Sequence, residues 1–257
     1  MSATCLRPRS ATEIVDAAFQ LLRAHYGAFA AATAVVLLPT FVLQLVLPAS
    51  VATIVAVVEQ ILLIVVDGVI VALVAQAYLG EPVDVGAALR SLGGRIGTLL
   101  GGAIMRGLLA GIATLLLVVP GIIVWVWTFA VSMVIVIEGA GVGTALSRSR
   151  ELARGGFGRI FGALILAFLL VMLMLAAVTV AVGMLLGAIG VGDAVTQATA
   201  TVLLVLVYPF FAIVGTLLYY DARIRREGFD VEMMARELGG AGGTVAPTTP
   251  AAPIRLR

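Results

Sequence analysis

The sequence predicts an all-α integral membrane protein with six transmembrane helices and three amphipathic helices at one membrane interface. Its 257 residues are 62% hydrophobic and 12% charged, and the mean hydropathy is +1.18. Soluble domains are about half apolar and roughly one quarter charged, so this chain has too little polar surface to fold in water. Its apolar residues also fall into long segments, as a helix crossing about 30 Å of hydrocarbon requires.

The apolar segments predict the spans in order. They cover residues 28–47, 51–79, 96–119, 121–137, 160–186 and 195–219. The third and fourth segments are separated only by Pro120 and Gly121. Because proline ends a helix and glycine permits a tight reversal, these two segments are expected to form a hairpin. Pro39 and Pro209 lie inside the first and sixth segments, where each is expected to bend its helix.

Three further segments have apolar residues on one helical face and polar residues on the other, which is typical of helices lying along the interface. In the first of them, Ser10 and Glu13 have the spacing of a capping box. The apolar faces consist of Ile14, Ala17, Ala18, Leu21 and Leu22; of Val85, Ala88, Leu89, Leu92 and Ile96; and of Val142, Ala145, Leu146, Leu152 and Ala153.

Each amphipathic segment is followed by a predicted pair of spans, and Gly-Arg-Ile occurs at 94–96 and again at 158–160. Two interpretations are open. The chain is either a triplicated helix-plus-hairpin unit, with copies related by an axis along the membrane normal, or it shows chance matches among abundant alanine, glycine and leucine.

The arginines predict the orientation. The connections at 48–50, 120–121 and 187–194 contain none, whereas the connections at the opposite ends of the spans are rich in arginine. The positive-inside rule therefore places the arginine-rich connections and both termini in the cytoplasm.

The end of the sixth segment is expected to anchor the protein in the interface. Tyr219 and Tyr220 are predicted to lie at headgroup depth as an aromatic belt. Arg223, Arg225 and Arg226 follow them and are predicted to lie in water near anionic lipid, where each basic residue contributes about 1 kcal/mol.

Little in the sequence indicates catalysis. His25 is the single histidine, Cys5 is the single cysteine, and there is no lysine. Histidine metal sites, thiolate clusters and the phosphate-loop lysine are thereby excluded, and no close carboxylate pair with acid and base roles occurs. We therefore expect no enzymatic activity, no cofactor and no catalytic, cofactor-binding or metal-binding residue. The net charge of +2 gives no indication of nucleic-acid binding.

Three charged residues inside the predicted spans indicate an intramembrane polar site, because a charge at this depth is costly and usually faces the protein interior. They are Glu59, Asp67 and Arg106. Asp67 and Arg106 are predicted to lie roughly 18 and 15 Å from the arginine-rich ends of adjacent antiparallel helices, and so to form an ion pair. The pair is either a structural clamp or part of a polar or proton-coupled site, with Glu59 nearer the outer face.

Small residues predict which helices pack centrally. Glycines with the GxxxG spacing that permits close helix contact in lipid are concentrated in the third and fifth segments. We therefore expect these two segments to lie at the centre of the bundle. The pairs are Gly97 and Gly101, Gly107 and Gly111, Gly158 and Gly162, and Gly183 and Gly187.

The domain organisation is simple. Residues 1–9 are predicted to be a cytoplasmic segment, 10–238 a single membrane domain, and 239–257 a disordered cytoplasmic tail rich in Gly, Ala, Pro and Thr. A short helix is expected after Gly228, with Asp230 as its cap and Phe229 packing on Met234.

Three stretches, SATEIVDAAFQLLRAHYGAF, PGIIVWVWTFAVSMVIVIEGAGVGTALSRSRELARGGFGRIFG and TLLYYDARIRREGFDVEMM, resemble the glycerophosphoryl diester phosphodiesterase membrane-domain family and related bacterial polytopic proteins. The resemblance covers most of residues 10–238. It implies a membrane module of the bacterial cell (inner) membrane. The soluble phosphodiesterase barrel that accompanies this module in some relatives has no counterpart here, so phosphodiester hydrolysis is not expected.

Two function classes follow. The favoured class is a nonenzymatic scaffold or accessory factor for membrane or envelope components, with membrane lipids and other membrane proteins as partners, because the chain has basic interfacial helices and no catalytic constellation. The second is a small transporter or lipid-handling protein that uses the buried polar site; an intramembrane enzyme is a distant third. A continuous polar cavity reaching Glu59 or Asp67 favours transport, whereas a filled core with an apolar outer groove favours scaffolding.

Overall fold

The computed structural model describes residues 10–188 and 193–227, which form helices without any strand in those two ranges. A 3-10 turn, Ala49–Val51, joins α2 to α3, and α7 continues into a π-helical turn, Val134–Glu138. The α-helices are α1 Ala11–Ala24, α2 Tyr26–Val46, α3 Ala52–Tyr78, α4 Val85–Leu92, α5 Ile96–Leu116, α6 Val118–Trp127, α7 Val131–Met133, α8 Val142–Ala153, α9 Phe157–Ala188 and α10 Asp193–Glu227.

Five segments have the length and hydropathy to cross a bilayer, which confirms an all-α membrane protein. They are Tyr26–Val46, Ala52–Tyr78, Ile96–Leu116, Val118–Glu138 and Phe157–Leu185. The sixth predicted span lies within α10, and its crossing stays a prediction, as does the side on which the termini lie. The expected helix after Gly228, the tail and residues 1–9 lie outside the described residues.

Helices α3 and α10 form the centre of the bundle. In α3 the run from Val69 to Ala75 is buried without interruption, and in α10 the run from Ala212 to Ile224 is buried. Helix α10 contacts α1, α2, α3, α8 and α9. The buried core therefore follows the two helices that have the most helical neighbours.

The prediction that the third and fifth segments pack centrally is wrong. Within α5 only Leu99 and Gly102 are buried, and α9 is mostly exposed beyond Ala167. No atom of a neighbouring segment lies within 4 Å of a Cβ placed at Gly107 or Gly111. GxxxG spacing permits a close contact but does not require one, and these faces lie on the outside of the bundle.

The three amphipathic helices form as predicted and pack their apolar faces on the spans. In α1 the Ser10 N–H donates to the Glu13 carboxylate at 2.8 Å, and the Glu13 N–H donates to Ser10 Oγ at 3.3 Å, which completes the capping box. Ile14 and Ala18 of α1 are fully buried, and this helix contacts α9 and α10. Burial of the apolar stripe therefore fixes α1 against the bundle.

Helices α4 and α8 follow the same pattern. The Asp84 carboxylate caps α4 by accepting the Gly86 N–H at 2.8 Å, and Ala88 and Leu92 are buried where α4 meets α2 and α3. In α8, Ala145 and Leu152 are buried, and this helix contacts α5, α6, α7 and α10. Helix α8 is thus placed between the outer hairpin and the centre of the bundle.

The predicted hairpin of the third and fourth segments forms, but its reversal is displaced from Pro120 and Gly121. The helix axis changes direction at Leu117, where the backbone is extended, and α6 already begins at Val118. Pro120 lies in the first turn of α6, where the missing N–H of proline costs no helical hydrogen bond. Gly121 instead packs directly against Thr114 of α5, so its role is to permit close contact of the two helices.

Gly121→Val is expected to lower the free energy of unfolding by about 1–3 kcal/mol, the usual cost of overpacking. A Cβ at this position would lie 2.9 Å from the Thr114 Cα, a backbone atom that cannot rotate away. Gly111→Val is the matched control, because it adds the same side chain to an outward helix position with no neighbour within 4 Å. Thermal unfolding in detergent measures both, and equal losses in the two variants would contradict this packing role.

Candidate intramembrane binding site

Five polar side chains from four helices line one cavity within the bundle, whose volume is about 220 Å³. Two of them carry the opposite charges that the sequence singles out, Asp67 from α3 and Arg106 from α5. The others are Gln60 of α3, Ser132 of α7 and Tyr208 of α10. The remaining wall is apolar and aromatic. The cavity thus brings both charges and three hydrogen-bonding groups together inside an apolar shell.

Asp67 and Arg106 share this cavity, but the ion pair predicted for them does not form. Ser132 lies beside the Asp67 carboxyl group, and Arg106 acts on this group electrostatically. No ion-pair contact joins the two charged groups in the described part of the chain. The number of residues from each helix end predicts how far along its helix each charged residue lies. It does not predict the distance between the two side chains across the bundle. A cavity lies between the two charges.

Glu59, the third predicted member of the polar site, does not line this cavity. It lies eight residues before Asp67 on α3, which corresponds to about 12 Å along the helix axis. Its carboxylate accepts a hydrogen bond from the Gln44 side chain of α2 at 3.2 Å. The neighbouring residue Gln60 lines the cavity instead.

The fourth span is broken beside the cavity. Helix α6 ends at Trp127 and α7 begins at Val131, with a turn at residues 128–130 between them. Phe129 from the break and Ser132 from α7 both line the cavity. Backbone groups at membrane depth must find partners inside the protein, so irregular backbone is tolerated mainly where protein covers it or a cavity adjoins it. Discontinuous helices of this kind are frequent at binding sites in transporters.

Ser149 of α8 satisfies the backbone on both sides of the break. Its hydroxyl accepts the Ala130 N–H at 3.0 Å and donates to the Trp127 carbonyl at 2.8 Å. Ser149 is 0% exposed, so water cannot replace these bonds. The sequence predicts one continuous span over 121–137 and assigns no role to Ser149. No sequence signal identifies it, because its partners lie about twenty positions earlier in the chain.

Tyr208 is a second residue that sequence reasoning missed. Its hydroxyl donates to the Leu63 carbonyl of α3 at 3.3 Å and faces the cavity. Pro209 follows it within α10 and cannot donate a backbone N–H to the preceding turn. A tyrosine beside a proline in an apolar span was the available signal.

The aromatic belt predicted for Tyr219 and Tyr220 is wrong. Their exposed fractions are 0% and 1%, so neither ring reaches the lipid headgroups. The Tyr220 ring stacks on Tyr78 of α3 with centroids 4.2 Å apart, and the Tyr219 hydroxyl donates to Glu138 at 2.7 Å. The tyrosines lie on the central helix, and its neighbours α3 and the π-helical turn cover them.

The arginines after these tyrosines are only partly solvent-exposed. Arg223 is 6% exposed and donates to the Glu227 carboxylate at 3.0 Å, so the prediction that it lies in water is wrong. Arg225 and Arg226 are both exposed, and Arg225 also pairs with the buried Asp221 at 3.1 Å. Acidic residues from α10 itself hold two of the three arginines against the protein.

Arg148 of α8 joins these groups into one ionic network. It pairs with Glu138 at 3.4 Å, with Glu151 at 3.6 Å and also with Glu227. Burial alone would lower the pKa of the Arg148 guanidinium, but the three carboxylates, Glu138 first, raise the pKa on balance above its ordinary value. Arg148 therefore stays charged and ties α8 to the ends of the fourth span and α10.

Comparison with known proteins gave no match: no protein-family model, curated protein or solved structure is similar to the chain. The resemblance to the phosphodiesterase membrane-domain family therefore stays a prediction.

Proposed function

We propose that this chain is a nonenzymatic membrane protein of the small-transporter or lipid-handling class, which binds a small polar ligand in the cavity between Asp67 and Arg106. The single observation that supports this most is that both charges line one cavity without forming an ion pair. A structural clamp requires direct contact of the two groups. The cavity instead leaves both charges accessible to a ligand.

The chemistry of the wall suggests a small zwitterion or a comparably polar solute. Such a ligand would place a cationic group at Asp67 and an anionic group at Arg106, with Ser132 and Tyr208 as further hydrogen-bonding groups. The volume of about 220 Å³ lies below the roughly 300–1,000 Å³ of pockets for drug-sized ligands. An uncompensated charge at membrane depth is costly, and ionisable residues kept there usually serve ligand or ion pathways.

The orientation that the arginines predict is part of this proposal: both termini lie in the cytoplasm, and the chain lies in the bacterial cell (inner) membrane.

A scaffold or accessory role is the second candidate. It is supported by the outward face of α5, where Gly107 and Gly111 have no neighbour and large apolar side chains such as Leu108 are exposed. Another membrane protein can pack on such a face.

The proposal predicts stabilisation of the purified protein by a zwitterionic solute. Glycine, glycine betaine and phosphoethanolamine are the probes, with acetate and glycerol as a singly charged and an uncharged comparison. We expect at least one zwitterion to raise the Tm, and Asp67→Asn or Arg106→Gln to weaken its binding at least tenfold. Each variant removes one charge-assisted contact, worth roughly 1.5–3 kcal/mol. Flux of the labelled solute into proteoliposomes then tests transport.

Glu59→Gln is the matched control, because it removes an intramembrane charge that does not line the cavity. This variant is expected to bind the zwitterion as tightly as the unchanged protein does. Failure of every zwitterion to stabilise the protein, or equal weakening by Glu59→Gln and Asp67→Asn, would overturn the proposal and favour the scaffold.

A further inference from the structure

A second cavity lies at the start of the α9 span and shares no residue with the first. It opens between the junction of α8 with α9 and the end of α10, and its volume is about 750 Å³. Two glutamates and five arginines line it, so its wall is positively charged. The charged residues are Arg148, Arg154, Arg159, Arg225, Arg226, Glu151 and Glu227. We call this cavity the arginine cleft.

Some of this positive charge is not neutralised by the protein. Arg148, Arg159 and Arg225 pair with carboxylates. Arg154 and Arg226 have no acidic partner among residues 10–188 and 193–227, and Arg226 donates to the Arg154 carbonyl. Both are exposed at the mouth of the cleft. The Arg226 side chain is therefore held against the Arg154 backbone, and both arginines line the cleft, where they can bind an anion.

Arg159 has a donor that the described part of the protein does not satisfy. One of its terminal nitrogens contacts the buried Asp221 carboxylate, but its Nε is buried without a hydrogen-bond partner. A buried donor without an acceptor costs about 1–3 kcal/mol. This unsatisfied donor belongs to a side chain that lines the cleft.

The backbone at the floor of the cleft also favours negative charge. Gly155, Gly156 and Gly158 line it just where α9, a helix of 32 residues, begins. Gly155 has φ +74°, a conformation that favours glycine, and without side chains the backbone at this turn can be approached closely. The N–H groups of the first helical turn have no partner within the helix, and the helix dipole adds partial positive charge.

We propose that the arginine cleft binds a phosphate group, held by Arg154, Arg159 and Arg226 at the start of α9. Several guanidinium groups and a helix N-terminus match the several oxygens of a phosphate. This chemistry is shared by an anionic phospholipid headgroup and by free phosphate. The half-exposed ring of Phe157 beside the cleft, and the exposed apolar surface of α9 beyond it, suit a lipid whose chains follow that helix.

The test uses the full-length protein in detergent and the double variant Arg154→Gln/Arg226→Gln. Its matched control is Arg23→Gln/Arg90→Gln, which removes two exposed arginines from α1 and α4, outside the cleft. Native mass spectrometry with phosphatidylglycerol, and separately with phosphatidylcholine, counts the retained lipids. Thermal unfolding in inorganic phosphate, with chloride at equal ionic strength as reference, tests the free anion.

We expect the unchanged protein and the control variant to bind phosphatidylglycerol at least tenfold more tightly than the cleft variant does. The difference between the same proteins is expected to be smaller for phosphatidylcholine. Stabilisation by inorganic phosphate that the cleft variant alone loses would also support the site and identify a free anion as its ligand. Equal lipid retention and equal phosphate response in all three proteins would overturn the proposal. Because the variants leave Asp67 and Arg106 intact, this result is independent of the zwitterion test.

Discussion

Asp221→Ala is expected to lower the free energy of unfolding by about 3 kcal/mol, the cost of leaving a largely buried charge without its partner. The Asp221 side chain is 3% exposed, and it pairs with Arg159 of α9 and with Arg225 one helical turn further along α10. Arg159 is 20% exposed, so water replaces little of the lost interaction. Thermal and denaturant unfolding of the purified protein measure the loss.

Asp84→Ala is the matched control for this variant. Asp84 also pairs with an arginine, Arg90, but the nitrogen–oxygen distance is 3.9 Å and the two side chains are 58% and 77% exposed. A solvated ion pair contributes about 0–1 kcal/mol and a helix cap about 1 kcal/mol, so this variant should lose about 1–2 kcal/mol, less than Asp221→Ala. The double variant Asp221→Ala/Arg159→Leu should recover part of the loss, because it removes both buried charges. Equal losses for Asp221→Ala and Asp84→Ala would show that burial is not what makes the Asp221 pair important.

Ser149→Ala should destabilise the protein by roughly 1–3 kcal/mol for each of the two backbone groups that it leaves unpaired. These groups are the Ala130 N–H and the Trp127 carbonyl, which flank the break in the fourth span. The substitution removes a neutral hydroxyl and adds no bulk. The loss of stability therefore measures the contribution of the two hydrogen bonds. Unfolding in detergent gives the stability, and limited proteolysis reports opening at the break.

Ser147→Ala controls for helix propensity in the same helix. Ser147 is exposed, and its hydroxyl bonds only the Thr144 carbonyl within α8. Its replacement is expected to change the free energy of unfolding by less than about 0.5 kcal/mol, as is usual for surface positions. If the two serine variants lose equal stability, the break does not depend on Ser149.

Helix α8 connects the two proposed sites. Ser149 holds the break that lines the intramembrane cavity, whereas Arg148 and Leu152 line the arginine cleft. The ionic pairs of Arg148 with Glu138 and Glu227 fix α8 between them. A single amphipathic helix at the interface therefore positions groups in both sites.

The sequence by itself determined the features that depend on neighbours along the chain. Segment length and hydropathy gave the five helices that are long and apolar enough to cross a bilayer. The Ser10 and Glu13 spacing gave the capping box, and helical periodicity gave the apolar faces of α1, α4 and α8. Each of these features depends on residues within a few helical turns of one another. Over that length the period of about 3.6 residues per turn determines on which side of the helix each side chain lies.

Only the tertiary structure decided which polar groups are buried and what they contact. Tyr219 was predicted to end a span at the lipid headgroups. Its hydroxyl instead donates a hydrogen bond inside the protein to Glu138, which lies 81 positions away in the chain. Asp67 and Arg106 were placed at the right level but are separated by a cavity. Burial and hydrogen bonding of these groups depend on helices that are distant in sequence, and the local pattern contains no information about the distance between them.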